Sequence, residues 1–185
     1  MSSIATLLDD AIAILNEAGV PWAVMGGCAR NAYAEPRATK DVDFVLEADP
    51  AGFAALEVAL QRAGFHRASA VSEPGEPVPD LALYRDAAGR RIDVLFAHTA
   101  FERSALQRRR SQTPDGQSAT HVVSPEDLIV YKLIADRPQD RADIVAVIEA
   151  QRIRGAVLDW AYIEHWSGAW DVLERLHKLR AELST

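Results

Sequence analysis

Residues 26–46 read GGCARNAYAEPRATKDVDFVL, and the fold turns on how this stretch is cut. A short apolar run, Pro21 to Met25, ends at Gly26-Gly27, and Cys28 to Ala34 then has the length of a short helix that Pro36 stops. A second strand follows from Asp41 to Leu46. Alternate residues of a strand share a face, so Asp41 and Asp43 point one way while Val42 and Phe44 go to the core. Two carboxylates on one face repel each other unless something positive lies between them.

Working outward, Ile4, Leu7, Leu8, Ala11, Ile12 and Leu15 recur at helical spacing, and Gly19 with Pro21 stops that helix. Asp49-Pro50 caps a helix that runs to Gly64, and Phe65 to Val71 reads as extended. The proline-rich Ser72–Pro79 segment is a loop and a candidate flexible lid. Leu81–Arg85 and Arg90–Phe96 flank Asp86-Ala87-Ala88-Gly89 as a hairpin, which sets Asp93 in mid-strand. A helix is expected from Phe101 to Arg109 and an extended piece at Thr120–Val123. Ser124-Pro125-Glu126-Asp127 opens a helix through Ala135, with helices at Pro138–Gln151 and Leu158–Leu183, the last interrupted near Ser167-Gly168. Strands crowd the first half and helices the second, which predicts an α+β fold. A mixed or antiparallel sheet is flanked by helices, with a core over 1–123 and a closely packed helical part over 124–185.

The chain has 185 residues, 49% hydrophobic and 25% charged, enough for one substantial core. A net charge of −7 argues against a surface that grips nucleic acid throughout, while leaving room for a local basic patch. No apolar run is long enough to span a membrane, and Asp9 and Asp10 interrupt the first helix, so a cytoplasmic location is expected. The single cysteine, Cys28, reads as a small buried residue beside a tight turn.

Asp93 supplies a third acidic strand position, with Ile92 and Val94 burying the opposite face. Three converging carboxylates suit Mg²⁺, a hard cation that keeps positions for water or substrate phosphates. The glycine pair complements them, because a strand that enters a helix through Gly26-Gly27 brings backbone N–H groups close to a triphosphate.

The glycine pair, the spaced aspartates Asp41 and Asp43 and the later Asp93 together resemble the nucleotidyltransferase superfamily related to DNA polymerase beta. The fuller pattern, with Gly26, Gly27, Ala29, Arg37, Thr39, Asp41 and Asp43 in order, resembles a small bacterial branch. That branch contains AbiEii-type toxins of type IV toxin–antitoxin systems and the aminoglycoside and lincosamide nucleotidyltransferases. The downstream run from Ser124 through Lys132, with Arg137 to Asp143 after it, resembles the toxin-like members. The resemblance covers about residues 20 to 150. It implies transfer of a nucleoside monophosphate from an NTP to a hydroxyl, with Asp41, Asp43 and Asp93 as catalytic residues and ligands of one or two Mg²⁺. Gly26, Gly27, Arg30, Arg37, Thr39, Lys132, Asp140 and Asp143 would border the nucleotide. An RNA or protein acceptor, and an antitoxin partner, follow from the toxin-like branch; a drug acceptor or a non-catalytic nucleotide-binding module are the alternatives.

Several of these residues carry a second reading. Lys132 fits a snorkelling side chain as well as a phosphate contact. Asp140 and Asp143 fit charges in a helix's first turn, and Arg37 fits a partner for a structural carboxylate. Arg103, Arg108, Arg109 and Arg110 fit a solvated helix face or an RNA contact, and Trp160, Trp166 and Trp170 fit core packing.

Overall fold

The computed structural model describes residues 4–112 and 120–183. In chain order the elements are α1 (Ile4–Ala18), β1 (Trp22–Met25), α2 (Gly26–Tyr33), β2 (Val42–Leu46), α3 (Pro50–Arg62), β3 (His66–Val71), β4 (Leu81–Arg85) and β5 (Arg91–Phe96). They continue with α4 (Ala100–Gln107), β6 (Arg110–Gln112), β7 (Thr120–Val122), α5 (Pro125–Ala135), α6 (Pro138–Ile153), α7 (Trp160–Ala169) and α8 (Leu173–Leu183). The strands form one seven-stranded mixed sheet in the order β3-β4-β5-β2-β1-β7-β6. β2 pairs with β5 in parallel, as does β1 with β7, and the other pairings are antiparallel. This is the expected α+β architecture.

Period-two alternation sets which side of the sheet is buried against helices. Val42, Phe44, Ile92, Val94 and Phe96 are fully buried, and Phe53 of α3 meets Phe96 edge-on at 5.4 Å. α2 packs against β1, β2, α5 and α6, and its Tyr33 hydroxyl donates to the Val123 carbonyl at 2.8 Å. Caps start the helices where the chain calls for them. Asp49 accepts from Gly52 N–H at 2.7 Å ahead of Pro50, Thr99 and Glu102 form a reciprocal box, and Ser124 accepts from Asp127 N–H at 3.2 Å ahead of Pro125.

Among the boundaries that differ from the expectation, three bear on the fold. The helix expected to reach Arg109 stops at Gln107, because Arg110–Gln112 leave as a strand that pairs with β7. The C-terminal helical stretch breaks at 170–172, where Asp171 takes a positive φ of 56°, beyond the expected Ser167-Gly168 interruption. The short helix begins at Gly26, two residues before the expected Cys28, because the glycine pair forms its first turn and is not a separate break. In the candidate lid, residues 72–77 are exposed, while Val78 is buried and the Pro79 carbonyl lies 3.0 Å from His98 Nε2.

Candidate active site

Two central strands assemble the acidic centre. The parallel register of β2 and β5 sets Asp43 beside Asp93, and Asp41 stands just before β2 begins. On the other flank of β2, Asp43 is opposite Met25, the last residue of β1 before the glycine pair. Gly26 has φ +61°, and a Cβ there would lie 2.1 Å from Asp43 Oδ2. A Cβ on Gly27 would lie 2.7 Å from Thr39 Oγ1. The pair therefore admits only glycine, and it lets the Gly27 N–H donate to Asp43.

This crowding is visible in the ionisation of the site. Burial, and then the charges of Asp41 and Asp93, push the Asp43 carboxyl up to about 6 against the Gly27 N–H and the Arg137 charge. Asp93 is also raised, by burial first, with the Arg91 charge opposing and the Asp41 charge adding. Burial, with the Asp43 and Asp41 charges behind it, pushes the thiol of the half-buried Cys28 up to about 12, and its Sγ lies 3.8 Å from the Asp41 carbonyl.

A positive group bridges Asp41 and Asp93, and it is a side chain that sequence reasoning passed over. Arg91 Nη2 donates to Asp41 Oδ2 and, at 3.0 Å, to Asp93 Oδ2. Its alternation was available as a signal, since Arg91 lies two residues before Asp93 on the same strand face. Among the described residues no three histidine, cysteine, aspartate or glutamate side chains stand as a ready cation cage. The all-oxygen donor set of Asp41, Asp43 and Asp93 nonetheless fits a hard divalent cation in kind. One of its oxygens, Asp93 Oδ1, is buried without a hydrogen-bond partner.

Beside the aspartates opens a cleft of about 530 Å³. Gly27, Thr39, Asp41 and Asp43 line it together with Arg37, Lys40, Lys132, Arg137 and Asp140, so carboxylates and cations share its lining. Thr39 Oγ1 donates to Asp41 Oδ1 at 3.3 Å, and Asn31 pins the intervening loop by donating to the Arg37 carbonyl at 2.7 Å and accepting from its N–H at 3.0 Å.

The cationic wall rests on a buried ion network. Lys132 Nζ donates to Asp140 Oδ1 at 2.8 Å and Asp143 Oδ2 at 2.7 Å, and all three residues are almost wholly buried. Arg37 grips Asp143 with two bonds, at 2.8 and 2.6 Å, and Arg137 Nε donates to Asp140 Oδ2 at 2.8 Å. Burial alone would raise Asp140 and Asp143, but the hydrogen bonds and charges of these cations outweigh it and leave both lowered. Arg30 lies behind this network, 3.4 Å from Asp143, and like Asp143 it does not line the cleft. Of the residues expected at the nucleotide, Gly27, Arg37, Thr39, Lys132 and Asp140 reach the cleft wall. Gly26 backs Asp43 from beneath.

The basic cluster expected on a helix face is largely engaged within the protein. Arg108 stacks 3.9 Å over the Tyr162 ring and approaches Glu126 at 3.7 Å and Asp127 at 3.9 Å, while Arg110 reaches Glu126 at 3.2 Å. Arg109 donates to the Leu106 carbonyl at 2.7 Å, and Arg103 to the His98 carbonyl at 2.9 Å. Trp166 packs against Phe101 at 5.4 Å, and Trp170 is exposed.

No family model and no curated protein matches this chain. Solved structures do. The solution structure of the antibiotic-resistance factor ANT(2'')-Ia is 15% identical, with a TM-score of 0.60 over 97% of this chain and 96% of that one. The crystal structure of ANT(2'')-Ia in complex with adenylyl-2''-tobramycin is 17% identical, with a TM-score of 0.62 over 92% and 98%. An antigenic nucleotidyltransferase-like protein from Paracoccidioides brasiliensis is 21% identical, with a TM-score of 0.56 over 96% and 89%. The chain thus has a nucleotidyltransferase-type fold along nearly its whole length.

Proposed function

We propose that this protein is a divalent-metal-dependent nucleotidyltransferase that moves a nucleoside monophosphate from an NTP to an acceptor hydroxyl. The observation that carries the reading is the β2–β5 register, which sets Asp93 beside Asp43, and Asp43 and Asp41 line a cleft that Arg37, Lys40, Lys132 and Arg137 also line. Asp41, Asp43 and Asp93 would hold Mg²⁺, which when bound neutralises charge on the triphosphate. Arg37, Lys40 and Arg137 receive polyphosphate oxygens, and Gly27 lines the same cleft beside Asp41 and Asp43. The acceptor oxygen attacks the α-phosphorus, the α–β phosphoanhydride bond breaks, and pyrophosphate departs with the bonding electrons. The acceptor proton passes to the Asp93 carboxylate.

For the acceptor, Arg108 and Arg110 pair with Glu126 and Asp127, so acidic neighbours compensate part of the basic charge that an RNA end demands. A small cationic polyol ranks ahead of RNA or protein on that ground, in keeping with the overall charge of −7. Incubation with each NTP, Mg²⁺ and an aminoglycoside panel, total RNA or cell protein, followed by mass spectrometry and pyrophosphate release, tests both parts. Transfer that disappears in a folded Asp41→Ala, Asp43→Ala double variant is the expected result. Undiminished turnover in that variant would refute the site, and preferential labelling of RNA or protein would reverse the acceptor order and favour the toxin-like reading.

A further inference from the structure

The geometry points to Arg91 as a resident counter-cation that occupies the carboxylate site until a metal–nucleotide complex displaces it, so that metal enters with the nucleotide and not ahead of it. This rests on the cation-site reading above. Arg91 touches two of the three carboxylates, with Nη2 on Asp41 and on Asp93, and its Nε lies 3.0 Å from Asp93 Oδ1. A guanidinium and a divalent ion compete for the same oxygens.

Two features make the exchange feasible. Arg91 Nε and Asp93 Oδ1 are close yet misaligned, and each is buried with no hydrogen bond, so the clamp leaves polar capacity unspent that a metal's ligand sphere would use. The Arg91 side chain is about one-third exposed at 33%, which gives its head a path to solvent. Directly across the β4–β5 pairing stands Arg85, whose charge opposes any retreat of Arg91 in that direction. An anion arriving with its own metal offers both a replacement for Arg91 at the carboxylates and a new partner for the guanidinium. Arg91 leaves Asp43 without a guanidinium partner, so one carboxylate of the three stays outside the clamp.

The experiment measures Mn²⁺ binding by electron paramagnetic resonance of the free ion, with and without a non-hydrolysable ATP analogue, for wild type, Arg91→Met and Arg91→Lys. Thermal melts establish that each variant folds. Wild type is expected to bind Mn²⁺ weakly alone and more tightly with the analogue, whereas Arg91→Met binds Mn²⁺ alone on the order of tenfold more tightly than wild type. Arg91→Lys, which keeps the charge but cannot span two carboxylates, falls between them. Equal or weaker Mn²⁺ binding by folded Arg91→Met would overturn the clamp and leave the metal site standing. If none of the proteins bound Mn²⁺ under any condition, the metal site itself would fall, and the clamp with it.

Discussion

Replacing Lys132 by methionine tests whether the cationic wall is architecture or a phosphate contact. The ammonium sits at 4% exposure between carboxylates 2.8 and 2.7 Å away that are themselves at 3% and 2%. Removing one partner of a buried ion pair costs about 3–5 kcal/mol, because the remaining charge is stranded. Here Asp143 keeps both bonds from Arg37 and Asp140 keeps Arg137, and both arginines are partly exposed, so the stranding is incomplete. The loss is set at roughly 2–3 kcal/mol, which for a chain of this size lowers Tm by roughly 5–10 °C. Urea denaturation followed by far-UV circular dichroism reads it directly. Adding Asp143→Asn to Lys132→Met should return part of the loss, with a coupling of about 1 kcal/mol or more in the double-mutant cycle. A Lys132→Met protein within about 0.5 kcal/mol of wild type, or strict additivity of the two changes, would refute the network as a source of stability.

Gly26→Ala combines a left-handed backbone, worth about 1–2 kcal/mol against alanine, with a Cβ 2.1 Å from the Asp43 carboxylate. A lower melting temperature together with loss of divalent-ion binding is expected, and an isothermal metal titration that matches wild type would contradict it. Asp143 has its folded pKa below the unfolded value near 3.8, so it contributes stability above that value and loses it as pH falls through the folded pKa. The Tm gap between wild type and Asp143→Asn should accordingly be widest at neutral pH and narrow below about pH 4, as read by scanning calorimetry across pH. Arg108→Ala removes the stack on Tyr162 and a charge beside Glu126 and Asp127, and should cost about 1–2 kcal/mol while leaving any tRNA retention on filters unchanged.

Local pattern made much of this architecture legible. The alternation of Asp41-Val42-Asp43-Phe44 assigned Val42 and Phe44 to the core, and proline with an N-cap residue marked the starts of α3 and α5. Non-local pairing was harder to see. The exit of Arg110 into β6 depends on strand β7, so a run of three arginines after a helical segment read as more helix. Lys132, Asp140 and Asp143 were singled out, but their convergence depends on how α5 meets α6, which periodicity within either helix cannot state. Arg91 was overlooked for another reason. Attention to metal-binding carboxylates favoured the acidic partner of an arginine that alternation had already put on the same face.

The acidic centre takes its residues from β2 and β5, two mid-sheet strands that meet in parallel after an excursion through α3, β3 and β4. Such a pairing closes a long loop, whose entropic cost falls before its contacts are gained. Interior strands open to solvent only with the whole molecule, whereas edge strands such as β3 and β6 fray alone. Amide protons along Val42–Leu46 should consequently exchange on the timescale of global unfolding, well after those of His66–Val71. The chemistry is thereby tied to the cooperative folding unit: a partly melted molecule that has shed its sheet edges would still carry an intact acidic centre, and one that has lost that centre has unfolded altogether.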